Sequence, residues 1–139
     1  TIIWFTVFPA AFGNTKALKD DEYLLLNKYL NNSKNVLLMT HIPLRTETSY
    51  KLGKWSNGKN LTIPHSDRLY QILKEHKNSL LAIFQGHIHE EYKTSIFEIP
   101  VFCFPFIKDN SHCEILQSQN KLEIISSNNT KLNHFFSLS

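Results

Sequence analysis

Leu80-Leu81-Ala82-Ile83-Phe84-Gln85-Gly86-His87-Ile88-His89 is the stretch on which the fold of this chain turns. A short apolar run of this length, bounded by polar residues, fits a buried strand. The glycine is expected to let the backbone turn sharply, with no Cβ in the way. Two histidines, spaced i and i+2, then stand at the strand end, where α/β folds place their sites. The same arrangement occurs upstream, where Val36-Leu37-Leu38-Met39-Thr40 runs into His41-Ile42-Pro43.

Working outward, the stretches between these runs have helical character. Residues 20–30 predict a helix: Asp20, Asp21 and Glu22 open it, where negative charge complements the helix dipole. Leu24, Leu25 and Tyr29 are expected to form its apolar face, and Asn31-Asn32-Ser33 to end it. A second helix is expected over residues 67–77, capped by Ser66 and striped by Leu69, Ile72 and Leu73. Between them, residues 44–64 read as a long polar loop beginning just after His41. Arg45, Lys51, Lys54, Trp55 and Lys59 lie on it; a solvated loop is the preferred meaning of these residues, with contact to an anionic substrate the alternative.

With residues 2–8 as an opening strand, the order is strand–helix–strand–helix–strand, the mark of α/β layering. The pattern then changes. Residues 95–107, 113–116 and 122–125 read as strands joined by polar turns, an antiparallel meander in which Pro100 and Pro105 favour an edge or a bulge. Residues 1–126 form one α/β unit in this reading, and residues 127–139 a polar tail without structure. The chain opens inside a strand, which suggests part of a longer protein.

Composition excludes several classes. The 139 residues are 42% hydrophobic with ten Phe, enough for a core. The net charge of +3 comes from scattered lysines, too mild to indicate a nucleic-acid partner. No apolar run approaches the ~18 residues of a membrane span, so no membrane partner is expected. No targeting pattern is present, and the cytoplasm is the default expectation. Cys103 and Cys113 flank a turn at residues 108–110 and are read as two buried thiols rather than a disulfide framework. The Asn31, Asn60 and Asn128 sequons do not establish secretion.

Neutral imidazole is the commonest ligand for borderline cations such as Zn²⁺, Mn²⁺ and Fe. If the two strands are parallel neighbours, His41 approaches His87 and His89, and the three become candidate metal ligands. A strand-end histidine that is merely hydrogen-bonded is the bland counterpart. His65, His76, His112 and His134 read as surface or loop residues, and Glu90 and Glu91 as solvated carboxylates within reach of a metal. There is no H-E-x-x-H, phosphate-binding glycine loop or nucleophile elbow, and no residue is assigned as a general acid, base or nucleophile.

Thr40-His41-Ile42-Pro43-Leu44 and Gly86-His87-Ile88-His89 resemble the last two signature motifs of the calcineurin-like metallophosphoesterases. The resemblance in order and spacing covers residues 2–126. It implies an α/β fold, the C-terminal half of an αββα sandwich. It also implies two divalent metal ions (Mn, Fe or Zn), with His41 and His87 on one and His89 on the other, and phosphomono- or phosphodiester hydrolysis.

The family's earlier motifs, D-x-H, G-D-x-x-D and G-N-H-D/E, do not occur; Gly13-Asn14 is followed by Thr15. Those motifs carry the bridging carboxylate and the acid that protonates the leaving group. Three imidazoles cannot hold two divalent cations at a normal ligand count. The expected partners are therefore a phosphoester substrate and an N-terminal half of the domain, with the present chain inactive alone. The alternatives are a degenerate, non-catalytic metal-binding module, a single-zinc hydrolase built on His41, His87 and His89, and a structural α/β domain.

Overall fold

The structure is a computed structural model that describes residues 3–7, 18–54, 60–104, 112–127 and 132–138. Its elements run β1 (Ile3–Val7), α1 (Asp20–Asn32), β2 (Val36–Thr40), α2 (Glu47–Leu52), α3 (Arg68–Glu75), β3 (Leu80–Gln85), β4 (Tyr92–Ile96), β5 (Ile99–Cys103), β6 (Cys113–Ser118), β7 (Lys121–Ser126) and β8 (His134–Ser137). They form a mixed α/β fold with two sheets.

The larger sheet has the order β1-β2-β3-β5-β4. β1, β2, β3 and β5 are parallel neighbours, and β4 pairs antiparallel with β5 at the edge. Side-chain alternation divides the core in two. Val36, Leu38, Ile83 and Val101 meet Tyr23, Leu26 and Leu30 of α1 and Leu69, Ile72 and Leu73 of α3. Leu37, Ala82, Phe84 and Phe102 point the other way, onto Leu122, Ile124 and Phe136 of the three-stranded sheet β6-β7-β8. The layers are therefore helices, five-stranded sheet, three-stranded sheet. Strands buried on both faces read as continuous apolar runs, which is why β2 and β3 were legible without alternation.

Several expectations are corrected. The buried face of α1 is Tyr23, Leu26 and Leu30, while Leu24, Leu25 and Tyr29 are exposed. Leucines occur on both sides of this helix, and a polar contact selects between them. The Tyr23 hydroxyl donates to Asp67 Oδ1 at 2.5 Å, tying α1 to the start of α3. Asp67, not Ser66, caps α3, accepting from the Leu69 N–H at 2.8 Å, and the helix stops at Glu75 with His76 as its C-cap. The supposed loop 44–64 contains α2, capped by the Thr46 side chain accepting from the Ser49 N–H. Its Lys51 and Glu47 pair at 2.8 Å.

Residues 95–107 are not one strand. β4 and β5 are joined by Phe97-Glu98, both with positive φ (51° and 68°). Two such residues between paired strands have the backbone of a type I′ hairpin turn, normally signalled by Asn-Gly, a signal that Phe97-Glu98 lacks. β5 then inserts parallel to β3 rather than continuing a meander. Pro100 sits in this interior strand at a position paired with Ser95 of β4, and the pairing with β3 begins only at Val101, so no ladder bond to β3 is lost.

The tail also has structure: β8 pairs with β7, and Leu132 and Phe136 are buried. The cysteines are free, one in each sheet. The 108–110 turn, Pro105, Gly13-Asn14, Trp55, Lys59 and the Asn128 sequon lie outside the described residues. Among the described residues no helix is long and apolar enough to cross a membrane.

Candidate functional site

Because β2 and β3 are parallel neighbours with Met39 beside Phe84, their C-terminal ends emerge side by side. The chain segments that follow are stitched together. The Gly86 N–H donates to the His41 carbonyl at 3.3 Å, and the Ile88 N–H folds back onto the Gly86 carbonyl at 2.8 Å. The Cys103 thiol also reaches the Gly86 carbonyl, at 3.6 Å. Phe104 N–H to the Gln85 carbonyl at 3.0 Å extends the β5 pairing one step further.

The turn is built differently from the sequence expectation. Gly86 does not occupy the left-handed region, and a Cβ there would make only ordinary contacts, 3.9 Å from His41 Nδ1 and its carbonyl oxygen. The left-handed residues are the histidines: φ is 68° at His87 and 63° at His89. With a bond from N–H of residue 88 to C=O of residue 86, His87 is the centre of a γ-turn of the rarer, strained hand. Histidine tolerates this backbone better than most residues, yet each instance costs on the order of 1 kcal/mol.

That backbone sets His87 Nδ1 3.1 Å from His41 Nε2, with the rings edge to face at a centroid separation of 4.9 Å. Two imidazole nitrogens bound to one cation at ~2.0–2.1 Å stand roughly 2.9–3.4 Å apart for tetrahedral or octahedral angles. The observed spacing therefore fits shared ligation, and equally a ring N–H of one histidine donating to the other. Burial, with the charges of His41 and His89 adding to it, lowers the His87 pKa from its ordinary 6.5, so the ring is neutral at pH 7, the form that binds metals. His89 stays exposed. Among the described residues no three His, Cys, Asp or Glu side chains converge as a metal cage.

Beneath the pair, on the helix side of the sheet, lies a row that the sequence did not reveal. Thr40, Gln85 and Cys103 continue the alternation of Leu38, Ile83 and Val101, and Tyr92 pairs in register with Cys103. Thr40 and Gln85 are only 5% and 3% exposed, yet neither the Thr40 hydroxyl nor the Gln85 amide group has a hydrogen-bond partner among the described residues. Burial pushes the Cys103 thiol up to about 11 and the Tyr92 phenol further still, so both remain protonated donors. The only signal in the sequence was a polar residue closing each apolar run.

The segment after His41 is fixed as well. Tyr70 of α3 accepts from the Arg45 N–H and donates to the Ile63 carbonyl, each at 2.6 Å. Leu44 and Ile63 form a parallel bridge, with the Ile63 N–H on the Pro43 carbonyl at 2.8 Å. Of the other histidines, His65 lies exposed against the Arg45 carbonyl, and His112 is also exposed. His134 is half-buried: Lys93 Nζ donates to its Nδ1 at 2.6 Å, and Phe102 and Phe136 flank it. Glu90 is exposed, and the Glu91 carboxylate accepts from the Ser126 hydroxyl at 2.8 Å, joining the two sheets.

No protein-family model matches the chain, and no curated protein matches it by sequence.

Proposed function

We propose that this chain is the histidine-bearing half of a dinuclear metallophosphoesterase, a hydrolase of phosphomono- or phosphodiesters. The observation that carries the reading is the 3.1 Å approach of His41 Nε2 to His87 Nδ1 at the C-terminal ends of two adjacent parallel strands. Two histidines drawn from distant parts of the chain converge with the spacing of co-ligands, on a turn whose strained backbone is the kind that functional sites retain. The α–β–β layering is also compatible with one half of an αββα sandwich, as the motif resemblance implies.

His41 and His87 would hold one cation and His89 a second. Divalent ions there supply Lewis acidity to the phosphoryl group and lower the pKa of the attacking water. The chain's own part is to present His41 and His87 side by side on a fixed turn, held by the Gly86 and Cys103 contacts. The buried, unsatisfied Thr40 and Gln85 side chains also favour a site that holds something polar above them, since buried polar groups are nearly always hydrogen-bonded. The carboxylates of a complete two-metal centre would come from residues beyond those described. A degenerate module that binds a single metal through His41 and His87 is the second reading, since no third ligand joins that pair among the described residues.

The test is cobalt titration of the 139-residue chain, read by visible absorption, together with phosphoesterase assays in Mn²⁺ or Zn²⁺. We expect one weak site, lost in His41→Ala and in His87→Ala, and hydrolysis at background. Cobalt binding unchanged by both substitutions overturns the metal assignment. Turnover that His87→Ala abolishes overturns the half-site account and favours a single-zinc hydrolase. The protein encoded by the complete reading frame is expected to carry two metals per chain and to hydrolyse a phosphoester; one metal without turnover identifies the degenerate module.

A further inference from the structure

Beside the histidine turn, two cations share one aromatic ring. The Arg45 guanidinium carbon lies 5.0 Å from the centroid of Tyr50, and Lys54 Nζ lies 5.2 Å from it. The charges are thus no more than roughly 10 Å apart, about one Debye length at 0.1 M salt, and repel each other. Nearby acid is already committed: Glu47 pairs with Lys51. No ion pair to Arg45 or Lys54 occurs among the described residues.

Arg45 is also pre-set. Its Nε donates to Thr62 Oγ1 at 2.8 Å, and Thr62 is held in turn by Asn60. With Nε occupied, the terminal guanidinium nitrogens remain for a ligand. Tyr50 is 40% exposed, so the ring is an open platform rather than part of the core. The cluster reaches the histidine turn through Gly53, which adjoins Lys54: a Cβ on Gly53 would stand 3.4 Å from Ile88 Cδ1, and Ile88 lies between His87 and His89. At its other end, Arg45 follows His41 by four residues on the segment pinned by Tyr70.

We infer that Arg45, Lys54 and Tyr50 form an anion subsite for a phosphoryl group of the ligand, next to the histidine pair. A tetrahedral oxyanion relieves the repulsion between the cations and takes the charge-assisted hydrogen bonds that both offer. Relative to the proposed phosphoesterase reading, this deepens the substrate class: it favours phosphoesters carrying a second anionic group over neutral-tailed ones. The subsite itself rests on the cation geometry alone.

The experiment is a metal-free NMR titration of the 139-residue chain with inorganic phosphate and with pyrophosphate. We expect saturable shifts at Arg45 Nε–H and the amides of residues 50–54, with pyrophosphate the tighter ligand. Lys54→Gln, an exposed substitution outside the fold's packing, should weaken binding on the order of tenfold, and Arg45→Gln at least as much. Arg68→Gln, removing an exposed cation elsewhere, should change nothing. The double variant His41→Ala/His87→Ala should keep phosphate binding while losing cobalt. Phosphate binding that survives Lys54→Gln and Arg45→Gln but vanishes with the histidines overturns the subsite and leaves the metal reading standing. Absence of saturable shifts also overturns it.

Discussion

Tyr70→Phe tests how the segment following His41 is held. The phenol oxygen is a relay, accepting from the Arg45 N–H and donating to the Ile63 carbonyl at 2.6 Å each. Removing one oxygen strands a donor and an acceptor in a residue environment that is only 7% exposed at the tyrosine. At ~1 kcal/mol net per hydrogen bond, with little room for water to substitute, the loss should be about 2 kcal/mol. In a chain of this size that is roughly 6–10 °C in Tm. A second signature sets this apart from generic damage. Burial, opposed by Arg45, raises the Tyr70 pKa from 10.0 to about 12. The folded state therefore binds more protons than the unfolded state between those values. The contribution is fully present below pH 10 and lost as pH rises through the folded pKa, on the order of 2 kcal/mol in all. Urea denaturation of wild type and Tyr70→Phe at pH 7, 10 and 11.5 reads both effects. The gap between the two proteins should narrow in alkali, because the variant lacks this loss; Tyr92 and Cys103, also raised, act equally in both. A difference under ~0.5 kcal/mol at pH 7, or a gap constant across pH, refutes the relay.

Other substitutions probe the remaining arguments. Gly86→Ala should fold normally and change stability by less than ~1 kcal/mol, because a Cβ there meets nothing closer than 3.9 Å; thermal melts that drop sharply would show that the turn needs glycine after all. Gly53→Ala should destabilise clearly in the same assay, since its Cβ would come within 2.9 Å of the Ser49 carbonyl oxygen. Asp67→Ala should cost about 2–4 kcal/mol, combining a lost helix cap with a buried Tyr23 hydroxyl deprived of its acceptor, whereas Asp67→Asn should recover much of it in urea titrations. His134 has its pKa lowered from 6.5 by burial and then by Lys93, so its stability contribution is full above pH 6.5 and lost as pH falls toward the folded pKa. His134→Gln should flatten that acid limb; an unchanged limb would assign it to other groups.

What was legible in the sequence followed from burial. β2, β3 and the two histidine positions stood out because strands covered on both faces must be apolar throughout, and their ends must then turn polar. The α1 face was misread because Leu24 and Leu25 are as apolar as Leu26 and Leu30; the choice is made by Tyr23 reaching Asp67, 44 residues away. The Phe97-Glu98 turn was hidden because it adopts left-handed backbone without glycine or asparagine. β8 was missed because a four-residue strand with one buried phenylalanine has no periodicity to detect. At the site, parallel topology brings His41 to His87, as their place at the ends of two apolar runs suggests, but the left-handed backbone of the turn falls on His87 and His89, where the sequence points to Gly86 for a sharp turn. The polar row under them, Thr40, Gln85, Cys103 and Tyr92, comes from four separate strands and exists only in three dimensions.

The separation of His41 and His87 by 46 residues also bears on how the chain folds. Closing a loop of that length costs about 3 kcal/mol in chain entropy before any contact rewards it, and parallel pairing of this kind is intrinsically slow. The two imidazoles meet because β2 and β3 are in register, so the contact depends on that long-range pairing. A ligand that spans both rings selects chains in which β2 and β3 are paired, and at a hundred times its Kd adds ~2.7 kcal/mol to stability. Cobalt added during refolding would therefore report when β2 and β3 come into register.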